Sequence, residues 1–290
     1  MTPSSESVRR VPTGPARRGP TGIEPARITA GQPGLESGLV TRDGDTAHID
    51  ARGVYYKTLN EQIRELVGAG VSTVALDNVN GQRYIGAGIS ADHLTILVNG
   101  VPGNDLAAFM DGPTVIVDDN AQDGIANTMN RGLVVVRGDA GDVVGYGMRG
   151  GRVYVRGDVG YRVGIHMKAY GEQHPVIVIG GRARDFFGEY MAGGEMILLG
   201  LGDSSEPLLG SYVGTGMHGG VIYVRGSVQG HQLGKEVSVV DPSPEDTARI
   251  EELVTDFCRV HGFDETEVLS QPFGKIAPFT HRPYGKLYAY

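Results

Sequence analysis

Between residues 94 and 234 apolar positions recur on two scales. Over a few residues they alternate, as where Val134 and Val136 face one way and Val135 the other. That is the period of a strand with one buried face. Over longer distances Met110, Met129, Met148 and Met167 stand 19 residues apart, and Met191 and Met217 continue the series after short insertions. Aligned on these methionines the chain falls into columns: Val115, Val134, Val153; then Val117, Val136, Val155; then Ala121, Ala140, Val159; then Ile125, Val144, Val163. Ile96, Val98 and Leu106 fit one coil earlier. Ile177, Ile179, Ala183 and Phe187, then Met196, Leu198 and Val213, then Ile222, Val224 and Val228, fit later ones. Insertions are expected near Ala169–Gln173 and Asp203–Gly210. A pattern that places like residues above like once per coil predicts an all-β fold, a single-stranded right-handed parallel β-helix of about seven coils over residues 94–236. Each coil then buries its core face only by stacking on its neighbours.

The flanks read differently. Residues 1–38 mix Pro, Gly, Ser and Thr with Arg9, Arg10, Arg17, Arg18 and Arg27 and hold almost no aliphatic clusters. Such a stretch is expected to be a disordered basic tail, since it cannot bury enough apolar surface to offset its ordering entropy. No apolar segment of 7–15 residues follows the Arg9–Arg10 pair, so no export signal is read there and a cytoplasmic location is expected. Residues 39–93 form an expected α/β segment. Leu59, Ile63, Leu66 and Val67 share one helical face ahead of Gly68 and Gly70, and Val71–Leu76 reads as a strand. In residues 237–290 Ser243 is a helix cap, with Pro244, Glu245 and Asp246 in the first turn and Gly262 as the stop. Ile250, Leu253, Val254, Phe257 and Val260 form its apolar stripe, and Cys258 lies beside that stripe as a packing residue. The two helical segments are expected to serve as caps and as cover for exposed strand edges.

Composition narrows the function. Glycine fills 46 of 290 positions, as a chain with many sharp turns requires. A net charge of -8 disfavours nucleic acid or an anionic membrane surface as the main partner. A single cysteine excludes an internal disulfide, a thiolate-held iron–sulfur cluster and a zinc ribbon within the chain. No apolar run is long enough for a membrane-spanning helix.

Several motifs resemble chemistry. Gly145-Tyr146-Gly147-Met148-Arg149-Gly150 and Gly214-Thr215-Gly216-Met217-His218-Gly219 match G-x-G-x-x-G. A phosphate loop needs a helix next, whereas strands follow here, so corner glycines outweigh a nucleotide site. The methionine column reads as core filler before it reads as a soft-metal site. His166, His174, His218 and His231 have no metal-ligand spacing. Arg137, Arg156 and Arg225 share one outward column with Asp118, either a paired surface ladder or a docking strip. Asp139 and Asp158 stand at turns, where carboxylates bond local backbone N–H groups. No complete active site is found, and no catalytic, cofactor-binding or metal residue is assigned.

The segment GDAGDVVGYGMRGGRVYVRGDVGYRVGIHM (138–167) resembles the GXGXG domain, the C-terminal β-helix of the glutamate synthase large subunit. The resemblance runs from about Tyr56 to the C-terminus, through Gly81-Gln82-Arg83-Tyr84-Ile85-Gly86, Phe273-Gly274-Lys275-Ile276 and Arg282-Pro283-Tyr284-Gly285. The last two are similar to stand-alone forms of the domain, as in glutamate synthase-like and N-methylglutamate synthase complexes. It implies a hetero-oligomer in which this chain is structural. A class II glutamine amidotransferase subunit and an FMN/Fe-S synthase subunit would do the chemistry, with FMN and the iron–sulfur cluster on the partner. No catalytic residue carries over. The same repeat resembles the β-helix subunit of formylmethanofuran dehydrogenase and that of the formyltransferase/hydrolase complex. An independent β-helix enzyme or binding module is the third reading.

Overall fold

The structure, a computed structural model, describes residues 37–202 and 207–279. Residues 1–36 of the expected basic tail, a stretch of the second insertion, and Arg282-Pro283-Tyr284-Gly285 therefore lie outside the described residues.

The columns become one 12-stranded sheet. Strand β1 (Leu39–Asp43) pairs antiparallel with β2 (Thr46–Asp50), which begins a parallel series in chain order. The series continues through β3 (Thr73–Asn80), β4 (Thr95–Val101), β5 (Asp111–Val117), β6 (Arg131–Val136), β7 (Arg152–Val155), β8 (Val176–Ile179), β9 (Ala192–Leu198) and β10 (Gly219–Arg225). The register matches the expected columns, with Val115 opposite Val134, Val134 opposite Val153 and Val153 opposite Ile177. A second side of each coil is held by single parallel bridges, Ala121 to Ala140, Ala140 to Val159, Val159 to Ala183 and Ala183 to Leu209. All six repeating methionines, from Met110 to Met217, are fully buried in this interior. This is a parallel β-helix of about six turns between β4 and β10, slightly fewer than the seven expected. Parallel register also reaches back before residue 94, because β3 places Val74 and Leu76 opposite Ile96 and Val98.

The turns explain a recurrent Gly-Asp pair. Asn120 Oδ1 accepts from Asp139 N at 2.7 Å, Asp139 Oδ1 from Asp158 N at 2.8 Å, and Asp158 Oδ1 from Arg182 N at 2.8 Å. A parallel rail joins Asp123 to Asp142 N and Asp142 to Tyr161 N, both at 2.8 Å. These side-chain oxygens thus bond the backbone of the next coil rather than their own turn. A Cβ on Gly157 would land on Asp139 Oδ1, so glycine there opens the path for the carboxylate.

Helix α1 (Tyr56–Gly68) buries Leu59 and Ile63 in the core shared with the first coils. Helix α2 (Pro244–His261) starts with a reciprocal Ser243–Asp246 capping box and stops at Gly262 in the left-handed region. It lies on the outer face of the sheet. There Ile250, Leu253, Val254 and Phe257 pack on Tyr154, Val178, Ile197 and Tyr223 to form a second core. Ion pairs Arg249–Glu195 (2.7 Å) and Arg152–Asp256 fix its line across the strands. At its start Asp246 accepts from Tyr223 Oη and from Lys275 Nζ, both at 2.6 Å. α2 therefore covers a sheet face, where a strand-edge role was expected. The ends of the parallel stack are closed by antiparallel strands instead: β1 at one end, and β12 (Phe273–Pro278) at the other, inserted between β10 and β11 (Val237–Val240).

Candidate interaction surface

One corner of every coil has an unusual backbone. Alternate residues take positive φ: Val143, Gly145 and Gly147 in one turn, Arg162, Gly164 and His166 in the next, then Phe186, Gly188 and Tyr190, then Tyr212, Gly214 and Gly216. Earlier turns do the same at Tyr84, Gly86 and Gly88, at Asp105, Ala107 and Phe109, and at Gly124, Ala126 and Thr128. The conformation is held from both sides. Val143 N donates to Tyr161 O, Gly145 N to Ile125 O and Gly147 N to Ile165 O, each at 2.8 Å, so successive N–H groups point to the later and the earlier coil in turn. A side chain in this region normally costs energy, and repeated cross-coil bonds over-determine it here.

The middle residue of each triad is only Gly or Ala because it faces inward. A Cβ on Gly145 would strike Ile177, and one on Gly188 would strike Ile222, while Ala107 and Ala126 are fully buried. Both G-x-G-x-x-G matches fall on this corner, Gly145 and Gly147 in one, Gly214 and Gly216 in the other. Strands β7 and β10 follow them, so no helix N-terminus stands behind either one.

Outward residues of these corners, four of them at outer triad positions and Tyr146 between Gly145 and Gly147, with Arg162, form two aromatic ladders. In one, the Arg162 guanidinium lies 4.4 Å above the Phe186 ring, and Phe186 stacks on Tyr212 with centroids 5.0 Å apart. In the other, Tyr146 meets His166 edge-on at 5.9 Å and His166 stacks on Tyr190 at 5.3 Å. Glu189 ties the ladders together by pairing with Arg162. Tyr146, Tyr190 and Tyr212 are 41%, 46% and 56% exposed, with Tyr161 beside them at 47%. The sequence reading missed this surface. Its signal was available in two successive turns, where Arg162 and His166, then Phe186 and Tyr190, stand two positions before and after the inward glycine.

The other expected candidates separate cleanly. Arg137 pairs with Asp118 at 3.2 Å. Arg156 donates to His261 O and lies 4.3 Å over Phe263, and Arg225 Nε donates to Val268 O at 2.8 Å. Two of the three column arginines thus dock the chain's own C-terminal segment. A shallow groove of about 460 Å³ along Arg137, Asp139, Arg156, Asp158 and Arg182 is lined by these same groups, with Arg182 paired to Asp158 at 2.9 Å. Cys258 is buried, and burial, with Glu265 and Asp264 adding, pushes its thiol up to about 11. That makes it a packing residue. His261 is 7% exposed against the Phe257 ring, and burial, with Arg156 adding, pulls its imidazole down to about 4. His218 Nδ1 lies 3.2 Å from Gly216 O. Among the described residues no group of three or more His, Cys, Asp or Glu could hold a metal ion, and no helix is long and apolar enough to cross a membrane.

A family model described as the GXGXG motif matches residues 58–280. A protein of Methanocaldococcus jannaschii, the uncharacterized protein MJ1350, is 48% identical over 248 residues, which is 83% of this chain and 95% of that one. Among solved structures, a chain of the formyltransferase/hydrolase complex FhcABCD from Methylorubrum extorquens has a similar fold. Its TM-score is 0.52 at 19% identity, over 68% of this chain and 70% of that chain.

Proposed function

The chain belongs to the GXGXG motif family, and on that premise we propose that it is a structural subunit of a hetero-oligomeric enzyme complex, holding catalytic subunits in register. One observation carries this reading: two ladders of stacked rings, with Tyr146, Tyr190 and Tyr212 exposed, on a corner whose backbone is fixed by cross-coil hydrogen bonds. Large exposed aromatic patches mark interaction sites. The carboxylates repeated along the turns accept backbone N–H groups of the next coil, which is a structural use. In this reading the chain itself turns over no substrate.

Two assemblies fit. In a glutamate synthase-type complex the partners are a class II glutamine amidotransferase and an FMN/Fe-S synthase subunit, and the scaffold keeps them aligned for transfer of ammonia or an amine. The repeat from Gly138 to Met167 supports this choice. In a formyltransferase/hydrolase complex the partners handle a formyl group, and the fold likeness to a chain of FhcABCD supports this choice at least as well. Purification of the tagged chain from its native cell, with masses and an absorbance spectrum of what accompanies it, separates them. Flavin and iron–sulfur bands with a chain beginning in cysteine are the expected result for the first. A formyltransferase-type partner set without flavin selects the second. A chain that runs alone, or one that turns over substrate by itself, overturns the subunit reading.

A further inference from the structure

We infer that the outer sheet face over β4, β5 and β6 is a second docking surface, and that it takes a helix of a partner subunit, which lays an uncharged apolar stripe across these strands. The inference rests on the subunit reading above: a chain that holds two subunits in register needs a surface for each, and the aromatic corner is only one.

Leu97, Ile116 and Val135 stand in one outward row that continues, at the same register, into Tyr154, Val178 and Ile197. The second half of that row lies under α2. The cover stops at β7, where Arg156 donates to His261 O and the helix ends at Gly262. Leu97 and Ile116 are half-buried and belong to neither core, and Leu133 only borders the second. A strand with one solvated face alternates apolar with polar residues, whereas a parallel strand covered on both faces reads as an unbroken apolar run. The covered strand β8 reads Val176-Ile177-Val178-Ile179. The open strands read the same way, as Ile96-Leu97-Val98, Val115-Ile116-Val117 and Leu133-Val134-Val135-Val136. By contrast β2, near the end of the sheet, alternates as Thr46-Ala47-His48-Ile49-Asp50. The face over β4 to β6 thus has the composition of a covered face.

Size and charge select the occupant. Three strands make a patch about 14 Å across and about 10 Å along the strands, on the order of 150 Å². A stable pair of copies needs about 800 Å² on each, so a second copy does not hold by this face alone. One helix of a subunit already seated elsewhere on the chain does. The charges around the patch are matched within the chain: Arg137 pairs with Asp118 at 3.2 Å, Arg131 with Asp111 at 2.6 Å and with Asp92 at 3.0 Å, and Asn99 Nδ2 donates to Asp77 Oδ1 at 2.7 Å. The contact stripe is therefore uncharged. On the continuous face next to it α2 presents Ile250, Leu253, Val254 and Phe257, an i, i+3, i+4, i+7 stripe, and the partner helix presents the same spacing.

The test uses the full chain, tagged, with a photo-crosslinking benzoylphenylalanine in place of Ile116, irradiated in its native cell and recovered for mass identification of the cross-linked peptide. Thermal melting checks that the chain remains folded. The expected result is a cross-link to a partner-subunit peptide with apolar residues at i, i+3, i+4 and i+7. Its yield should stay constant as salt rises from about 0.05 M to about 0.5 M, because no charge crosses the contact. Ile116→Glu, at an outward position, should lower retention of that same subunit at least tenfold. A partner that co-purifies without a cross-link at position 116 overturns the sheet-face site and leaves the subunit reading standing. A cross-link to a second copy of this chain, or to its own residues 1–36 or 280–290, overturns the partner assignment. A chain that recovers no partner at all overturns both readings together.

Discussion

Replacing Gly145 with alanine tests why the inward residue of every corner is Gly or Ala. Two costs add. At a φ of +69° the alanine sits in the left-handed region, which costs about 1–2 kcal/mol. Its methyl would also fall on Ile177 Cδ1, with Met148 Sδ at 3.7 Å leaving little room to slide. Ile177 is fully buried on β8, so it must leave its rotamer inside a packed stack, at about 1–3 kcal/mol. The expected loss is about 2–5 kcal/mol, read as a lower urea midpoint at unchanged slope. Ile177→Val removes the Cδ1 atom itself and costs about 0.5–1.5 kcal/mol alone. Combined with Gly145→Ala it relieves the clash, so the double variant should be more stable than the sum of the singles by about 1 kcal/mol or more. Ala126 is the internal comparator, since it holds φ +58° with its methyl fully buried where the facing side chains leave room. A loss below about 1 kcal/mol for Gly145→Ala, or strict additivity with Ile177→Val, refutes the steric account of the motif.

Other perturbations read other regions of the stack. Val136→Asp puts an unpaired carboxylate in the fully buried column and should cost about 3–5 kcal/mol, so a soluble variant with unchanged melting would sink the column assignment. Asp139→Ala leaves Asp158 N without its 2.8 Å acceptor and should cost about 1–2 kcal/mol by thermal melting. Asp139→Asn should cost far less, because in the preceding coil Asn120 already serves as the acceptor. His261 has a folded value near 4 against an ordinary 6.5, so between those values the unfolded chain binds more protons and stability falls as pH falls. The loss by pH 4 should reach about 3 kcal/mol. His261→Leu should flatten the urea midpoint across that window, and an unchanged pH slope would count against a buried neutral imidazole. Cys258 should resist iodoacetamide at pH 8 in the folded chain and react after unfolding, given a thiol pushed up to about 11.

How much of this was legible follows from where the repeat is written. The inward columns and the methionine stack could be read because their period is nearly constant and every coil fills the same slot with an apolar residue. The first coil escaped because its slot holds Ile89 in place of methionine. Asp111 N donates to Ile89 O just as Asn130 N donates to Met110 O, yet nothing in the residue type announces it. The corner backbone was partly legible through its glycines. Val143, Arg162 and Phe186 also adopt positive φ, and no local preference favours that for them; hydrogen bonds from two neighbouring coils impose it. The arginine column was ambiguous because its partners lie far along the chain. Arg156 meets His261 and Arg225 meets Val268, contacts that only the path of α2 and the segment after it creates. For the same reason the Asp rails, read as local turn bonds, proved to reach one coil onward.

These constraints also say where function can be written in such a fold. The inward columns are bound by volume, and the Asp rails by the need to accept the next coil's N–H. The sheet face over β7 to β10 is occupied by α2. What remains in every coil alike is the outward pair of positions at each corner, where the backbone conformation is set by neighbours and the side chain is not. There this chain places Tyr, Phe, His and Arg in contact with one another and leaves the rings open to solvent. Exposed stacked rings contribute little to the fold that a smaller residue could not, since the cross-coil hydrogen bonds beneath them are made by backbone atoms. The corner is therefore the region of the coil that can be specialised without disturbing the stack.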